Sequence, residues 1–256
     1  MLLFEPPPSQ ADIHFRLFGF PVRVHPLFWL STALLGVTGG DRGTPPVELA
    51  LWIAVVFVSI LVHELGHAFV QRRFGGRPWI TLHGFGGLAS CNDCDRSPRS
   101  QILISLAGPA AGFLFVLLVA VALRLAGRSI GWAGELQTPE GVLAIPLLGR
   151  VLYWTPFESW QANLLLFNIL WVNVFWGLIN LLPVYPLDGG QVARELFLLG
   201  NPRQGIVYSL ALSAVTGGAA AIWVLVNWRS IFTAAMFGYL AYVSYQTLQA
   251  YRANRW

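Results

Sequence analysis

Residues 49–71 read LALWIAVVFVSILVHELGHAFVQ, a stretch of 23 residues in which Glu64 is the only formal charge. A helix that spans a bilayer needs about 20 mostly apolar residues, so this stretch predicts a membrane-spanning helix. A carboxylate inside such a helix is costly and usually functional. The stretch therefore indicates a membrane protein whose chemistry lies at or beside Glu64.

The rest of the chain has the same apolar character. Of its 256 residues, 55% are hydrophobic and 11% are charged, whereas soluble domains carry about 25% charged residues. This composition excludes an ordinary soluble domain and also a disordered chain. We predict an all-α polytopic membrane protein with about six transmembrane helices, which forms one integral-membrane domain over residues 1–256. Five further uncharged runs support this count, between Arg23 and Asp41, Arg99 and Arg124, Glu158 and Asp188, Arg203 and Arg229, and Arg229 and Arg252.

The 16 basic residues are all arginine, and their placement predicts the orientation of the chain. With six crossings and a cytosolic N-terminus, 11 arginines lie inside and 5 outside, as the positive-inside rule favours. We therefore predict a multi-pass protein of a bacterial or archaeal plasma membrane, with both termini cytosolic and the lipid bilayer as a partner. The arginines are scattered between apolar runs, so nucleic acid is not an expected partner. The outside set is Arg42, Arg124, Arg128, Arg150 and Arg229.

His63, Glu64 and His67 form an H-E-x-x-H sequence on the predicted helix. Residues four apart lie on one face of a helix, so the two imidazoles can bind one Zn²⁺ from the same side. The glutamate can reach a water at such a metal and take its proton. The alternative is a pair of surface histidines that bind nothing. Unpaired polar groups inside a bilayer are costly, and this favours the metal site.

A catalytic zinc site typically has three protein ligands, so a third must come from elsewhere in the chain. His14, His25, His83 and Asp188 are the candidates. Asp188 lies in the stretch NLLPVYPLDGG, residues 180–190, where two prolines and two glycines interrupt an apolar run. Broken helix at membrane depth requires protein or a water-filled cavity around its free backbone groups. The alternative for Asp188 is a solvated residue in an interfacial turn.

Together these motifs resemble the site-2 protease family, the intramembrane zinc metalloproteases of peptidase family M50. The HELGH sequence at 63–67 is similar to the helix motif of that family, and residues 180–190 are similar to its Asn-x-x-Pro-x-x-Pro-x-Asp-Gly sequence. The resemblance implies a catalytic core at about residues 47–200, in a minimal form without PDZ or CBS domains. It also implies that one catalytic Zn²⁺ is held by His63, His67 and Asp188, that Glu64 is the catalytic base, and that Asn180 lies near the substrate.

Residues 77–87, RPWITLHGFGG, resemble a membrane-dipping β-hairpin of the same family. The edge of such a hairpin could align an unwound substrate by strand addition, which makes Gly86 and Gly87 candidate substrate-binding residues. The alternative is a plain cytosolic loop. His83 is expected to be structural, because the resemblance already supplies three ligands.

Three further expectations concern residues outside these motifs. Gly112 stands where the family often has Asn, which removes a hydrogen-bonding side chain near the site. Cys91 and Cys94 form a C-x-x-C pair that is expected to stay as reduced thiols. Residues 127–157 are expected to form an interfacial loop.

The sequence thus predicts an intramembrane zinc metalloendopeptidase that cleaves within or near a transmembrane segment of a membrane-protein substrate. A regulatory membrane partner is compatible with this function. One alternative is a metal-binding transporter or channel, which would be expected to show inverted repeats or polar residues on several spans. Another is a non-catalytic scaffold that binds membrane helices, which would have no need of Glu64.

Overall fold

The structure, a computed structural model, describes residues 5–37, 43–134, 137, 139–147 and 149–253. Arg42 and Arg255, which the orientation prediction uses, lie outside these residues. The elements in chain order are β1 Ile13–Leu17, β2 Phe20–Val24, α1 Pro26–Gly36, α2 Pro46–Arg73, β3 Trp79–His83, β4 Gly86–Ser90, α3 Pro98–Leu125, β5 Ile130–Ala133, β6 Leu143–Leu147, β7 Arg150–Trp154, α4 Trp160–Asn180, α5 Asp188–Gly200, α6 Gly205–Asn227 and α7 Ile231–Ala253.

Four of these helices, α2, α3, α4 and α6, are long and apolar enough to cross a membrane. The prediction of a polytopic helical membrane protein is therefore confirmed, whereas these four do not account for six crossings. Helix α7 has 23 residues but a less apolar sequence. Helix α1 has only 11 residues, about 16 Å at 1.5 Å per residue, and is too short to span a bilayer alone.

A four-stranded sheet in the order β1-β2-β3-β4 lies beside α2. The hairpin predicted at 77–87 is present as β3 and β4, which pair antiparallel from Trp79–Ser90 to His83–Gly86. The all-α prediction missed β1 and β2, and β2 joins the hairpin by parallel pairing with β3. The sequence FPVRV of β2 alternates between the core and the other face, with Phe20, Val22 and Val24 buried. Strand β4 is the end strand of this sheet and faces the helices.

The predicted interfacial loop at 127–157 is instead a three-stranded antiparallel sheet in the order β5-β7-β6. The prediction was wrong because these short strands carry only a few buried apolar residues, which give a weak pattern along the chain. Ile130, Ile145 and Trp154 pack against Leu166 and Leu170 of α4 and form a core of their own.

Close contacts with α3 and α4 hold α2 inside the helix bundle. Gly66 of α2 lies against α3, where a Cβ atom would collide with the Ala107 carbonyl oxygen. Asn173 of α4 donates a hydrogen bond to Ser59 Oγ of α2 over 2.8 Å. These contacts bring the middle of α2 to the centre of the bundle, between α3 and α4.

The break predicted between residues 180 and 188 is present, since α4 ends at Asn180 and α5 begins at Asp188. Within this break, the backbone groups of Tyr185 are paired with side chains of the last two helices. Tyr185 N–H donates to Ser213 Oγ of α6 at 3.0 Å, and Ser244 Oγ of α7 donates to the Tyr185 carbonyl at 3.4 Å. The protein therefore supplies partners for both backbone polar groups of Tyr185, as broken helix inside a membrane requires.

Candidate active site

Helix α2 and the start of α5 bring three potential metal ligands together. Nε2 of His63 lies 3.1 Å from Oδ2 of Asp188, and Nε2 of His67 lies 3.4 Å from Oδ1 of the same carboxylate. The two Nε2 atoms are 3.1 Å apart. Ligand atoms from all three residues lie within 4.8 Å of one another, although Asp188 is 125 positions from His63 in the chain.

The hydrogen bonds of His67 decide which of its ring nitrogens carries the proton. Nδ1 lies 2.7 Å from the Ile104 carbonyl oxygen, and a carbonyl can only accept, so Nδ1 carries hydrogen. In the neutral ring, Nε2 then presents a lone pair to Nε2 of His63 and to the Asp188 carboxylate. The Nε2 atom of His63 and the Asp188 carboxylate lie at the same place, so two imidazole nitrogens and a carboxylate meet there. This arrangement therefore fits a metal ion, with a backbone carbonyl that orients one ligand.

Helix α3 contributes a glycine that makes room for the histidines. At Gly108, a Cβ atom would collide with Nε2 of His67 and would lie 2.6 Å from Nε2 of His63. The absence of a side chain here lets α3 approach the ligands directly. The sequence alone does not reveal this role, because the position of Gly108 under the ring nitrogens depends on the tertiary fold.

The side chain of Glu64 extends from α2 toward strand β4, beside the three ligands, and the residue is 5% exposed. The backbone N–H of Ala89 in β4 faces its carboxylate. A Cβ atom at Gly87 would lie 2.5 Å from Oε1 of Glu64, so only glycine lets the strand pass this close. The carboxylate is thus held next to the ligand group and next to the free edge of β4.

A cavity of about 380 Å³ opens onto these groups. It offers room for an extended segment of peptide, with backbone from β4 on one side and polar side chains of α2, α3 and α5 on the others. Its lining includes His63, Glu64, His67, Gln71, His83, Gly87, Leu88, Ala89, Gln101, Ile104, Ser105, Trp176, Asn180, Asp188, Gln191, Arg194 and Glu195.

Of the candidate substrate-binding residues, Asn180 and Gly87 line this cavity, whereas Gly86 is not in the lining although its neighbours Phe85 and Gly87 are. The Asn180 amide donates to the Trp176 carbonyl at 2.9 Å. Gly86 has a φ of +125°, which favours glycine, and a Cβ atom there would lie 3.0 Å from the Trp176 ring.

The other histidine candidates do not join the ligand group. His14 lies on β1, and His25 caps α1 by accepting from the Leu27 N–H at 3.2 Å. His83 lines the cavity but belongs to neither of the possible metal-binding groups in the described part of the chain. Burial lowers the pKa of His83, which suits a neutral structural side chain.

Cys91 and Cys94 are joined by a disulfide bond, so the prediction of two free thiols was wrong. Their Cα atoms are 5.8 Å apart, a separation that a disulfide accommodates and that the sequence alone does not reveal. The pair packs over Gly76, and Asp93 accepts a hydrogen bond from the Arg77 N–H at 2.9 Å. The loop after β4 is thereby fastened to the chain that follows α2.

Gly112, where the family often has Asn, faces α4. A Cβ atom at this position would lie 3.6 Å from the Asn173 carbonyl oxygen and from Oδ1 of its side chain, an ordinary contact distance. The ligand group does not involve Gly112.

Comparisons with known proteins agree on one family. The model of peptidase family M50 matches residues 51–217. The Mycobacterium tuberculosis protein Rip3 is 32% identical over 249 residues, which cover 86% of this chain and 56% of Rip3. Zinc metalloprotease MJ0392 of Methanocaldococcus jannaschii is 24% identical over 213 residues, which cover 82% of this chain and 52% of that protein. The chain thus spans about half the length of these relatives.

Among solved structures, the site-2 protease from Methanocaldococcus jannaschii has a similar fold. The TM-score is 0.51 at 21% sequence identity, and the match covers 91% of this chain and 95% of the other. At this identity the likeness concerns the fold alone.

Proposed function

This chain belongs to peptidase family M50, the site-2 protease family, and we propose that it is a zinc metalloendopeptidase that cleaves membrane proteins within or near a transmembrane segment. One observation carries the proposal. Two imidazole nitrogens and a carboxylate converge beside a second, buried carboxylate, that of Glu64. They lie inside a bundle that contains four helices apolar enough to cross a membrane.

The residues proposed to hold the metal are His63, His67 and Asp188. Two nitrogens and one carboxylate oxygen form a donor set typical of catalytic zinc, which leaves a further coordination position open. When bound there, Zn²⁺ would act as a Lewis acid toward water and the substrate carbonyl.

Glu64 is proposed as the general base and later the general acid. Its carboxylate takes a proton from the attacking water while the water oxygen bonds to the carbonyl carbon of the substrate. It then gives that proton to the leaving nitrogen as the C–N bond breaks, so water is divided between the two products. The Asn180 amide, on the cavity wall, is proposed to hold the substrate main chain.

The proposed substrate is an extended, locally unwound piece of a transmembrane segment. A helical peptide bond is shielded by its neighbours and is hydrogen-bonded, so it must unwind before attack. Strand β4 offers an edge to such a segment by strand addition, and Gly86 and Gly87 are the residues proposed to receive it. Membrane-protein substrates and the bilayer are the partners that this function requires, and a regulatory membrane partner is compatible with it.

We further propose six crossings with both termini cytosolic, in a plasma membrane. Helix α1 runs along the first half of α2, since Phe28 packs on Phe57 and Trp52 donates to the Thr32 carbonyl. Strand β2, just before α1, pairs with β3, just after α2. We therefore propose that the segment that contains α1 is the first crossing, although its helix is short. The α7 helix supplies the sixth.

Removal of the metal tests this function. We expect that a chelator abolishes cleavage of a labelled transmembrane peptide in liposomes by the purified protein, and that Zn²⁺ restores it at about one ion per chain. Zinc content by mass spectrometry and product by gel are the two measurements. Cleavage that continues in protein stripped of zinc would contradict the proposal.

Gly87→Ala is expected to lower kcat/KM by at least about tenfold, because the new methyl group forces the Glu64 carboxylate or β4 to shift. Gly84→Ala is the matched control in the same hairpin. Its Cβ atom would lie 3.4 Å from Leu27, an ordinary contact, and we expect wild-type activity. Equal activity of both variants would show that Gly87 does not set the position of Glu64.

A further inference from the structure

Gln71 lies on the face of α2 that carries the metal-ligand histidines, one turn beyond His67 and two turns beyond His63. Its side chain lines the cavity and the residue is 8% exposed. The proposed chemistry makes no use of this side chain.

The position of each atom in the Gln71 amide is fixed by strand β4. Nε2 lies 3.0 Å from the Ala89 carbonyl oxygen. A carbonyl oxygen can only accept, so the atom beside it is the amide nitrogen and the other atom is the oxygen. That oxygen, Oε1, is buried and has no hydrogen-bond partner among the described residues. A buried acceptor without a donor is unfavourable, which points to a donor that arrives from outside the chain.

Strand β4 explains where that donor would come from. Ala89 lies opposite Ile80 of β3, and both of its backbone polar groups are taken from the other side by α2. Its N–H faces the Glu64 carboxylate and its carbonyl accepts from Gln71. A substrate strand on this edge therefore cannot pair with Ala89 directly. The Gln71 amide contacts Ala89, and the residue also lines the cavity that the substrate would occupy.

We propose that Gln71 is a substrate-binding residue, whose Oε1 accepts a hydrogen bond from a main-chain N–H of an extended substrate. Its amide then bridges β4 and the substrate as an additional peptide unit would. This inference rests on the proposed function and adds a requirement on the substrate sequence. The substrate residue opposite Gln71 must have a free N–H, so proline is excluded at that one position.

The probe for this contact is a fluorescein-labelled peptide of about 24 residues, apolar with arginine flanks and one central Asn-Gly pair that unwinds it at one place. Analogues carry a single N-methyl group at successive backbone nitrogens around that pair. Affinity for zinc-free protein in detergent is measured by fluorescence anisotropy. We expect one N-methyl position to weaken binding to the wild-type protein by about tenfold, the order of one hydrogen bond.

Gln71→Met keeps the length of the side chain and removes the acceptor. The parent peptide should bind this variant about tenfold more weakly, and the difference between parent and N-methyl analogue should disappear. Gln246→Met is the control, because the Gln246 amide lies on α7 outside this cavity and donates to the Tyr242 hydroxyl. It should keep the wild-type profile. A steric effect of the methyl group would persist in Gln71→Met, so the comparison isolates the hydrogen bond.

The inference is overturned when no analogue binds the wild-type protein more weakly, or when the same analogue is equally impaired in Gln71→Met. The wild-type series decides the first point even when the variant does not fold. Cleavage of the parent peptide by zinc-loaded protein is a separate measurement. If the peptide binds in a Gln71-dependent way but is not cleaved, the proposed activity is rejected and the Gln71 contact is retained.

Discussion

Replacement of Glu64 by glutamine is expected to reduce kcat for peptide cleavage by about a thousandfold or more, while the zinc content stays at the wild-type level. An amide of the same shape cannot take a proton from water or return it to the leaving nitrogen, and such acid–base transfer typically contributes 10²–10⁴ in rate. Zinc content should persist because the ligand group consists of His63, His67 and Asp188.

A second glutamate on the same helix provides the control. Glu48 lies in the first turn of α2 and accepts a hydrogen bond from Trp160 Nε1 at 3.2 Å. Glu48→Gln changes the same charge away from the site, and we expect wild-type cleavage. The measurement is product formation from a labelled transmembrane peptide in liposomes, with metal content determined on the same preparations. Cleavage by Glu64→Gln within tenfold of wild type would reject Glu64 as the base.

The same experiment separates the competing functions. A scaffold that binds membrane helices would cleave neither in wild-type nor in variant form. A metal transporter would carry Zn²⁺ across the bilayer into liposomes whether or not peptide is present. Only the peptidase gives cleavage that requires both Zn²⁺ and Glu64.

The half of the site on α2 was predictable because it is local. The spacing of His63 and His67 places both rings on one face of any helix, and the structure agrees. The contact of Asp188 with these histidines could not be predicted in this way, since it depends on the break in the helix and on how α5 packs near α2. Spacing alone left His14, His25 and His83 as equal candidates, and only the resemblance to a family favoured Asp188.

The parts that sequence reasoning missed depend on short elements or on tertiary contacts. Five-residue strands such as β1 and β2 give a weak period-2 pattern, and apolar residues beside them favoured a membrane interpretation. The roles of Gly108 and Gln71 come from atoms on other elements, the histidine rings and the Ala89 carbonyl. No pattern along the chain carries that information.

Gly108→Ala is the second substitution with a large expected effect, although it changes only a hydrogen atom to a methyl group. The added Cβ atom would collide with Nε2 of His67 and would lie 2.6 Å from Nε2 of His63. The His67 ring cannot simply move away, because its Nδ1 is held by the carbonyl of Ile104, which lies on α3 one turn before Gly108. We expect zinc content to fall below about a tenth of the wild-type level and cleavage to fall at least a hundredfold.

Gly112→Ala makes the same change four residues further along α3 and is expected to have the opposite result. Its Cβ atom would lie 3.6 Å from two oxygen atoms of Asn173, so it fits without displacement. Alanine in place of glycine favours a helix by about 1 kcal/mol, so the zinc-free protein should unfold at an equal or higher temperature. Thermal unfolding of both zinc-free variants separates a local effect on the metal from loss of the fold. When Gly108→Ala unfolds like wild type but binds no zinc, the glycine acts through the ligands. Wild-type zinc content in Gly108→Ala would show that the His63, His67 and Asp188 group is not where the metal binds.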